Sequence, residues 1–335
     1  IPRPGDVFST ANRRVIFDSL TGDVLTGVVD PGGEFLYRTD IATRLIAQNL
    51  LVHEHGLLTM GTQSGPVVAG IKAELLIADK PLDLANDPEQ WGNSLLVLGT
   101  IETCGASKGP SWVWLAAEPK AGDTTLRLAQ PCTGWKVGDR LILSDSHIVS
   151  IYVPGDDPTV QVEMLSVASI SVDGLTLTLA SALEFDHPGQ RDAAGALTDF
   201  PHVTNLTHNV VVRSQNAAGV RGIVVFTENA DFACRNTQFS GGGRTSYLAI
   251  DNTVLDESGA VTYAGTNQGD RSPVQFRHLV DRGTPKRFIF EDCSVFCPMP
   301  SHGIRWGLHL NDVGDGLIKN CASANWHDSC MHVAY

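Results

Sequence analysis

The chain has 335 residues, 42% of them hydrophobic and only 18% charged, with a formal net charge of -13. That apolar content can fill a large core, while the acidic balance and the absence of any basic run argue against a nucleic-acid-binding surface, which needs clustered Lys and Arg. The longest apolar runs are strand-sized, so none is a membrane-spanning helix.

The opening "IPRPGDVFS" reads as a mature or trimmed N-terminus, with no signal peptide before it. "TDIATRLIAQNLLV" is the best helix candidate in the chain, and it reads equally well as two strands. Next comes "LVHEHGLLTMGTQSGPV", in which His53, Glu54 and His55 stand together. Residues two apart on a strand share a face, so the two imidazoles could chelate a metal. Further ligands are needed and none stands nearby, so an exposed bend is the better reading and no metal site is expected. Almost everything after this is a run of four to seven residues rich in Val, Ile, Leu, Phe and Thr, bounded by Gly, Asn, Asp or Pro; "ELLIAD", "DRLILSD", "NVVVRS", "GIVVFT" and "RFIFED" are examples. The chain is therefore all-β.

The last third adds a repeat. "DFACRNTQF" (231–239), "RFIFEDCSVF" (287–296) and "GLIKNCASANW" (316–326) place Asn236, Asp292 and Asn320 at one shared position, followed by Thr237, Cys293 and Cys321. Short strands with polar residues at fixed turn places mark a solenoid in which each coil buries its inner side chains against its neighbours. The predicted fold is a right-handed parallel β-helix, with a β-sandwich as the rival. The aligned polar residues should lie in line along the coil axis.

Seven Cys leave one unpaired in any full disulfide scheme, and none forms a zinc-type CxxC pair. Stacked strands point their side chains the same way, so Cys293 and Cys321 are expected to be unbridged neighbours. Cys104 and Cys132 bracket one excursion of the chain and are the better disulfide candidates. "NLT" at 205–207 is an N-glycosylation triplet.

The ordered set "RPGDVF", "LLVHEHGLLTMGTQSGPV", "IKAELLIAD" and "LLVLGTIETCGASKGPSWVWL" resembles the eight-glycine domain of fibrocystin-type receptors, of the cell-surface and secreted hyaluronan-degrading proteins, and of bacterial relatives. Gly5, Asp6, Gly56, Gly61, Pro66, Gly99, Gly105, Ser111 and Trp112 hold the pattern. The likeness continues through Trp135, Gly138, Asp139, Glu163 and His187, then through Arg221, Gly222, Gly243, Arg244 and Thr245, where the family's β-helix opens. The resemblance implies an eight-glycine β domain over 1–119, a connecting β segment over 120–200 and β-helix coils over 201–335, expected to continue in further chain or a stacked partner.

It also implies an active surface along the coils, carrying a Gly-Arg-Tyr-Pro-Ile-His-Phe-His strand. Here "DRSPVQFRHLV" keeps Arg271, Pro273, Val274 and Phe276 but has Gln275 and Arg277 at the two His places. His278 is displaced by one, which in a strand moves it to the other face. Downstream, His309 matches a family His, and Asp312 and Asp328 are carboxylates of the kind that glycan cleavage needs in pairs. The candidate catalytic residues are His309, Asp312 and Asp328. Arg277, Arg305, Trp306, His302 and Trp326 are candidate substrate-binding residues, the indoles because they can stack on sugar rings. His327 and His332 are polar neighbours. A basic strip of Arg271, Arg277, Arg282, Lys286, Arg287 and Arg305 would attract an acidic polymer. The sequence identifies no definite cofactor; Ca2+ is the one candidate ion, and Asp312 and Asp315 alone are too few to hold it.

Two function classes follow. One is a secreted or cell-surface β-helix that engages an extracellular polysaccharide, with hyaluronidase-like depolymerisation as its catalytic form. The other is a non-catalytic adhesion or structural module of a larger surface assembly. Gln275 and Arg277 favour the second and leave catalysis open.

Overall fold

The computed structural model describes residues 3–146, 161–246, 254–258, 260–263, 267–279, 288–298, 304–326 and 330–334. By contacts the chain divides into two units, 1–106 with 208–335, and 107–207. The described residues contain strands, turns and bends and no helix.

The first unit is a parallel β-helix built from three ladders. One runs from Arg14–Phe17 through Glu34–Tyr37, Leu57–Met60, Thr100–Cys104, Asp231–Arg235 and Phe288–Glu291 to Gly316–Lys319. The second stacks Ala73–Ile77, Val210–Ser214, Thr237–Ser240, Ser294–Phe296 and Ala322–Ala324. The third stacks Ser94–Val97, Ile223–Thr227, Val274–Leu279, Leu308–Val313 and Met331–Ala334. The segment that offered a helix or two strands is the single ten-residue strand Thr43–Val52, which pairs with both Ala73–Ile77 and Ser94–Val97. The early strands and the later coils therefore share sheets.

Alternation along each strand fills the interior. Val274 and Phe276 enter the core, as do Leu308 and Leu310 one coil on. Phe226, Phe232, Phe276 and Phe288 stack through it, with centroids 4.0 Å apart for Phe226 and Phe232 and 5.0 Å for Phe276 and Phe288. Each fully buried ring contributes roughly 2–3 kcal/mol of burial free energy.

The bends recur in register. Asn236, Asp292 and Asn320 have φ of 47°, 51° and 53°, between the aligned Arg235, Glu291 and Lys319 on one side and the aligned Gln238, Ser294 and Ala322 on the other. Asn and Asp tolerate this left-handed conformation better than most residues, which is why the repeat places them there. A second column of bends is formed by Glu228, His278 and Asp312, at φ 55°, 50° and 52°. His278 thus does not turn to the inner face, as strand alternation predicts. It leaves the strand geometry at the bend, and Leu279 is the residue buried.

Residues 107–207 form a six-stranded antiparallel sheet in the order Trp112–Trp114, His202–Asn205, Arg140–Leu143, Glu163–Ile170, Thr176–Leu179, Thr125–Arg127. Its core includes Val113, Leu141, Leu165, Leu177 and Val203. Two buried polar clusters brace it. Asp139 accepts from Lys108 and from Asn205 Nδ2, and Glu163 lies 2.9 Å from His187 Nε2.

All seven cysteines are free. The expected Cys104–Cys132 bridge is absent because each thiol fills its own buried site. Cys132 packs in the core of the 107–207 unit and its Sγ donates to the Gly174 carbonyl; Cys104 is buried at the end of Thr100–Cys104. Cys293 donates to the Cys234 carbonyl and Cys321 to the Phe290 carbonyl. Asn205 of the glycosylation triplet is only 3% exposed, its Nδ2 2.7 Å from Asp139. The fold closes this triplet to modification.

Candidate functional site

The third ladder presents an outward column. Register aligns Val225, Gln275, His309 and His332, and two residues further along it aligns Thr227, Arg277, Asn311 and Ala334. Gln275 and His309 face away from the core because Val274, Phe276, Leu308 and Leu310 face into it. Even so, both outward residues are buried. Among the described residues, neither the amide nitrogen nor the amide oxygen of Gln275 has a hydrogen-bond partner, and the same holds for Nε2 of His309 and Nδ1 of His332. An unsatisfied buried polar atom costs about 1–3 kcal/mol, so a cluster of them calls for an explanation.

His309 Nδ1 lies 3.4 Å from Ser272 Oγ and 3.6 Å from an Asp270 carboxylate oxygen. Burial pushes its pKa down to about 4, against the pull of Asp270 and with help from His332 and Arg277. The ring is therefore neutral at pH 7 and presents one donor and one acceptor nitrogen. Trp306 closes one side: its ring stacks on His332 at 4.2 Å and 11°, and lies 4.6 Å from His309. Arg277 pairs with Asp270 at 3.4 Å and sits 5.2 Å from the Trp91 ring. Arg305 lies 5.8 Å from the Trp306 ring. The site thus gathers Arg277, Arg305, Trp306 and His309 from the sequence-derived candidates. Asp270, Ser272 and Trp91 join them unforeseen. Trp91, an indole in the polar loop "NDPEQWGNS", was the available signal.

The remaining candidates are placed otherwise. Asp312 is half exposed at its bend, its carboxylate 3.3 Å from His278 Nδ1. Trp326 is partly buried against the core, with Nε1 3.4 Å from the Val295 carbonyl. His302, His327 and Asp328 lie outside the described residues, as do Arg282, Lys286 and Arg287. Arg271 is not part of an open basic strip. Its side chain is 4% exposed, donates to the carbonyls of Glu89 and Gly269, and lies 3.5 Å over Trp91. Burial lowers its pKa to about 10.

Among the described residues no three His, Cys, Asp or Glu converge as a metal site. His53 to Gly56 form a turn, with Gly56 N–H donating to the His53 carbonyl and Glu54 accepting from Asn229.

The first coils have a counterpart among known proteins: residues 1–116 match the G8 domain family. This chain carries a G8 domain. The glycines of the G8 domain let neighbouring coils approach. A Cβ on Gly99 would lie 2.1 Å from the His53 carbonyl oxygen, and one on Gly61, at φ 81°, would lie 2.4 Å from that of Cys104. The chain is also similar to human Fibrocystin-L, with 27% identity over 221 residues, which is 63% of this chain and 5% of that protein. Mouse Fibrocystin-L is 24% identical over 225 residues, 64% of this chain and 5% of its own length. The chain thus spans 5% of the length of these relatives. Among solved structures, the tailspike gp61 of Pseudomonas phage phi297 aligns over 86% of this chain and 40% of its own, at 13% identity and a TM-score of 0.25. The Gp54 tailspike of Acinetobacter baumannii bacteriophage AP22, solved in complex with A. baumannii capsular saccharide, aligns over 90% and 41%, at 12% identity and a TM-score of 0.24. No described helix is long and apolar enough to cross a membrane.

Proposed function

We propose that the chain belongs to a secreted or cell-surface protein and engages an extracellular polysaccharide at the outward column of its third ladder. The observation that carries this reading is the polar column of Gln275, His309 and His332, whose buried atoms have no hydrogen-bond partner among the described residues. Sugar hydroxyls donate and accept at once, so they suit this polar column where the half-buried Arg277, Trp306 and Asn311 bring it to the surface. Trp306 offers an aromatic wall to the same ligand, and Arg277 and Arg305 offer charge to an acidic one.

Binding is better supported than cleavage. A hyaluronidase-like reaction would use His309 as base and Asp312 with Asp328 as carboxylates. A ring with a pKa near 4 is a weak base at neutral pH, and Asp312 is paired with His278. These two facts, with Gln275 and Arg277 in the family's His places, favour the second reading: a non-catalytic adhesion module of a larger surface assembly. Binding and product release measured together on a panel of extracellular polysaccharides, with and without a chelator, separate the two. Binding without product supports the module, product formation supports the enzyme, and loss of product on chelation would bring in Ca2+. Absence of binding to every polymer, or undiminished binding by Arg277→Ala and Trp306→Ala, would overturn the site.

A further inference from the structure

The 107–207 unit carries a second aromatic surface that the reading above does not use. Trp112 to Trp114 pairs with His202–Asn205 on one side, and at its end Trp114 accepts from Ala129 N–H and Leu115 bridges Leu128 on the other. Val113 is fully buried in the core, so the flanking indoles project from the opposite face, where they are 40% and 43% exposed. Register sets Trp114 opposite His202 and Trp112 opposite Thr204, while Val203 turns inward beside Val113. The solvent face of this strand pair is therefore Trp112, Trp114 and His202. Their centroids are 5.3 Å apart between the indoles, 5.7 Å from Trp112 to His202 and 5.6 Å from Trp114 to His202, all near perpendicular. Two adjacent indoles left in water on one face of a sheet are costly unless something covers them.

The surroundings say what that is. A cleft of about 420 Å3 opens against Trp114 and His202, rimmed by Asp145, Gln190 and Asp199. Among the described residues no Lys or Arg lines it. Burial holds the His202 pKa below its usual value, so the ring is neutral at pH 7 with a donor and an acceptor. An apolar wall with carboxylate, amide and imidazole acceptors and donors at its edge fits a molecule with one C–H face and a rim of hydroxyls. The carboxylates repel an anion.

We propose that Trp112, Trp114 and His202 form a binding platform for a neutral pyranoside, with Asp199, Asp145 and Gln190 accepting or donating hydrogen bonds at its hydroxyl rim. The platform is separate from the Arg277 and His309 column and differs in ligand charge. Its binding is insensitive to salt, because no charge pair forms.

The test is calorimetry and intrinsic tryptophan fluorescence on the full chain, with neutral hexasaccharides of β-1,4-linked glucose, mannose and N-acetylglucosamine, and a hyaluronan hexasaccharide as the anionic probe. At least one neutral hexasaccharide is expected to bind and to shift the indole emission. Trp114→Ala and Trp112→Ala each weaken that binding about tenfold or more, while Trp114→Phe, which keeps a ring, stays within a few-fold. Raising salt to about 0.5 M leaves the affinity unchanged, and so does Arg277→Ala. Unchanged unfolding temperatures in the variants show that the sheet is intact. The proposal is overturned if no neutral hexasaccharide binds, if both Ala variants bind as the parent does, or if only hyaluronan depends on Trp114. Self-association abolished by Trp114→Ala would assign the face to a second copy instead. Failure at Arg277→Ala alone bears on the coil site and leaves this one standing.

Discussion

Gln275 and His309 stand in register on neighbouring strands, both buried, and each holds a polar atom with no hydrogen-bond partner among the described residues. The pair stores a cost that an apolar residue would remove. Gln275→Leu is expected to raise stability by about 1–2 kcal/mol, since removing an orphaned amide relieves its desolvation, and to weaken polysaccharide binding. Urea denaturation and a binding titration on the same variant check both halves. A destabilised variant with undiminished binding would show that the amide serves packing alone.

His309 makes stability depend on pH. Its ordinary value of 6.5 falls to about 4 on folding. Between these values the unfolded chain takes up a proton that the folded chain refuses. This contribution is therefore free of penalty above pH 6.5, declines as pH falls towards 4, and is constant below that. The full loss is up to roughly 3 kcal/mol. His309→Gln should flatten this window relative to the parent in denaturation curves at pH 7, 5.5 and 4.5.

The buried Asn205 bears on expression in a eukaryotic secretory host. Intact-mass measurement is expected to show no glycan at Asn205, because its amide is committed to Asp139. Asn205→Ala removes a hydrogen bond to a charged group and should cost about 1.5–3 kcal/mol.

Thiol chemistry offers a further check. Unreduced peptide mapping should recover seven unlinked cysteines. In the native protein the exposed Cys330 should alkylate before the buried Cys234 and Cys293, since burial pushes the Cys234 thiol up to about 12 and holds that of Cys293 well above its usual value. A recovered Cys104–Cys132 peptide would contradict the fold.

The coil register was legible because it is written locally. Asn236, Asp292 and Asn320 mark one bend each, and the apolar alternation between them sets which side chains enter the core. The site was only half legible. Arg277, Trp306 and His309 sit on or beside the repeating strands and could be placed by counting. Trp91 and Asp270 belong to excursions between strands, where no period predicts which side chain folds back. His278 was misplaced for a related reason: alternation holds inside a strand and ends where φ turns positive. Cys104 and Cys132 looked pairable in sequence because sequence proximity does not reveal that each is buried in its own place.

The second ladder joins Ala73–Ile77 to Val210–Ser214 across the whole of 107–207. At the root, Asn209 Oδ1 accepts the Ala106 N–H at 2.8 Å, and its Nδ2 donates to the carbonyls of Val67 and Ile71. One side chain thus ties the departing and returning chain together. This makes the order of folding events matter. While 107–207 is a loose chain, zipping these strands must close a long loop. Once it has collapsed, the same closure behaves as a loop of a few residues, which lowers its entropic cost by about 2–3 kcal/mol. The sheet grafted into the coil then acts as a kinetic gate. Strands before it can wind early, and those after it gain a template only when it has formed.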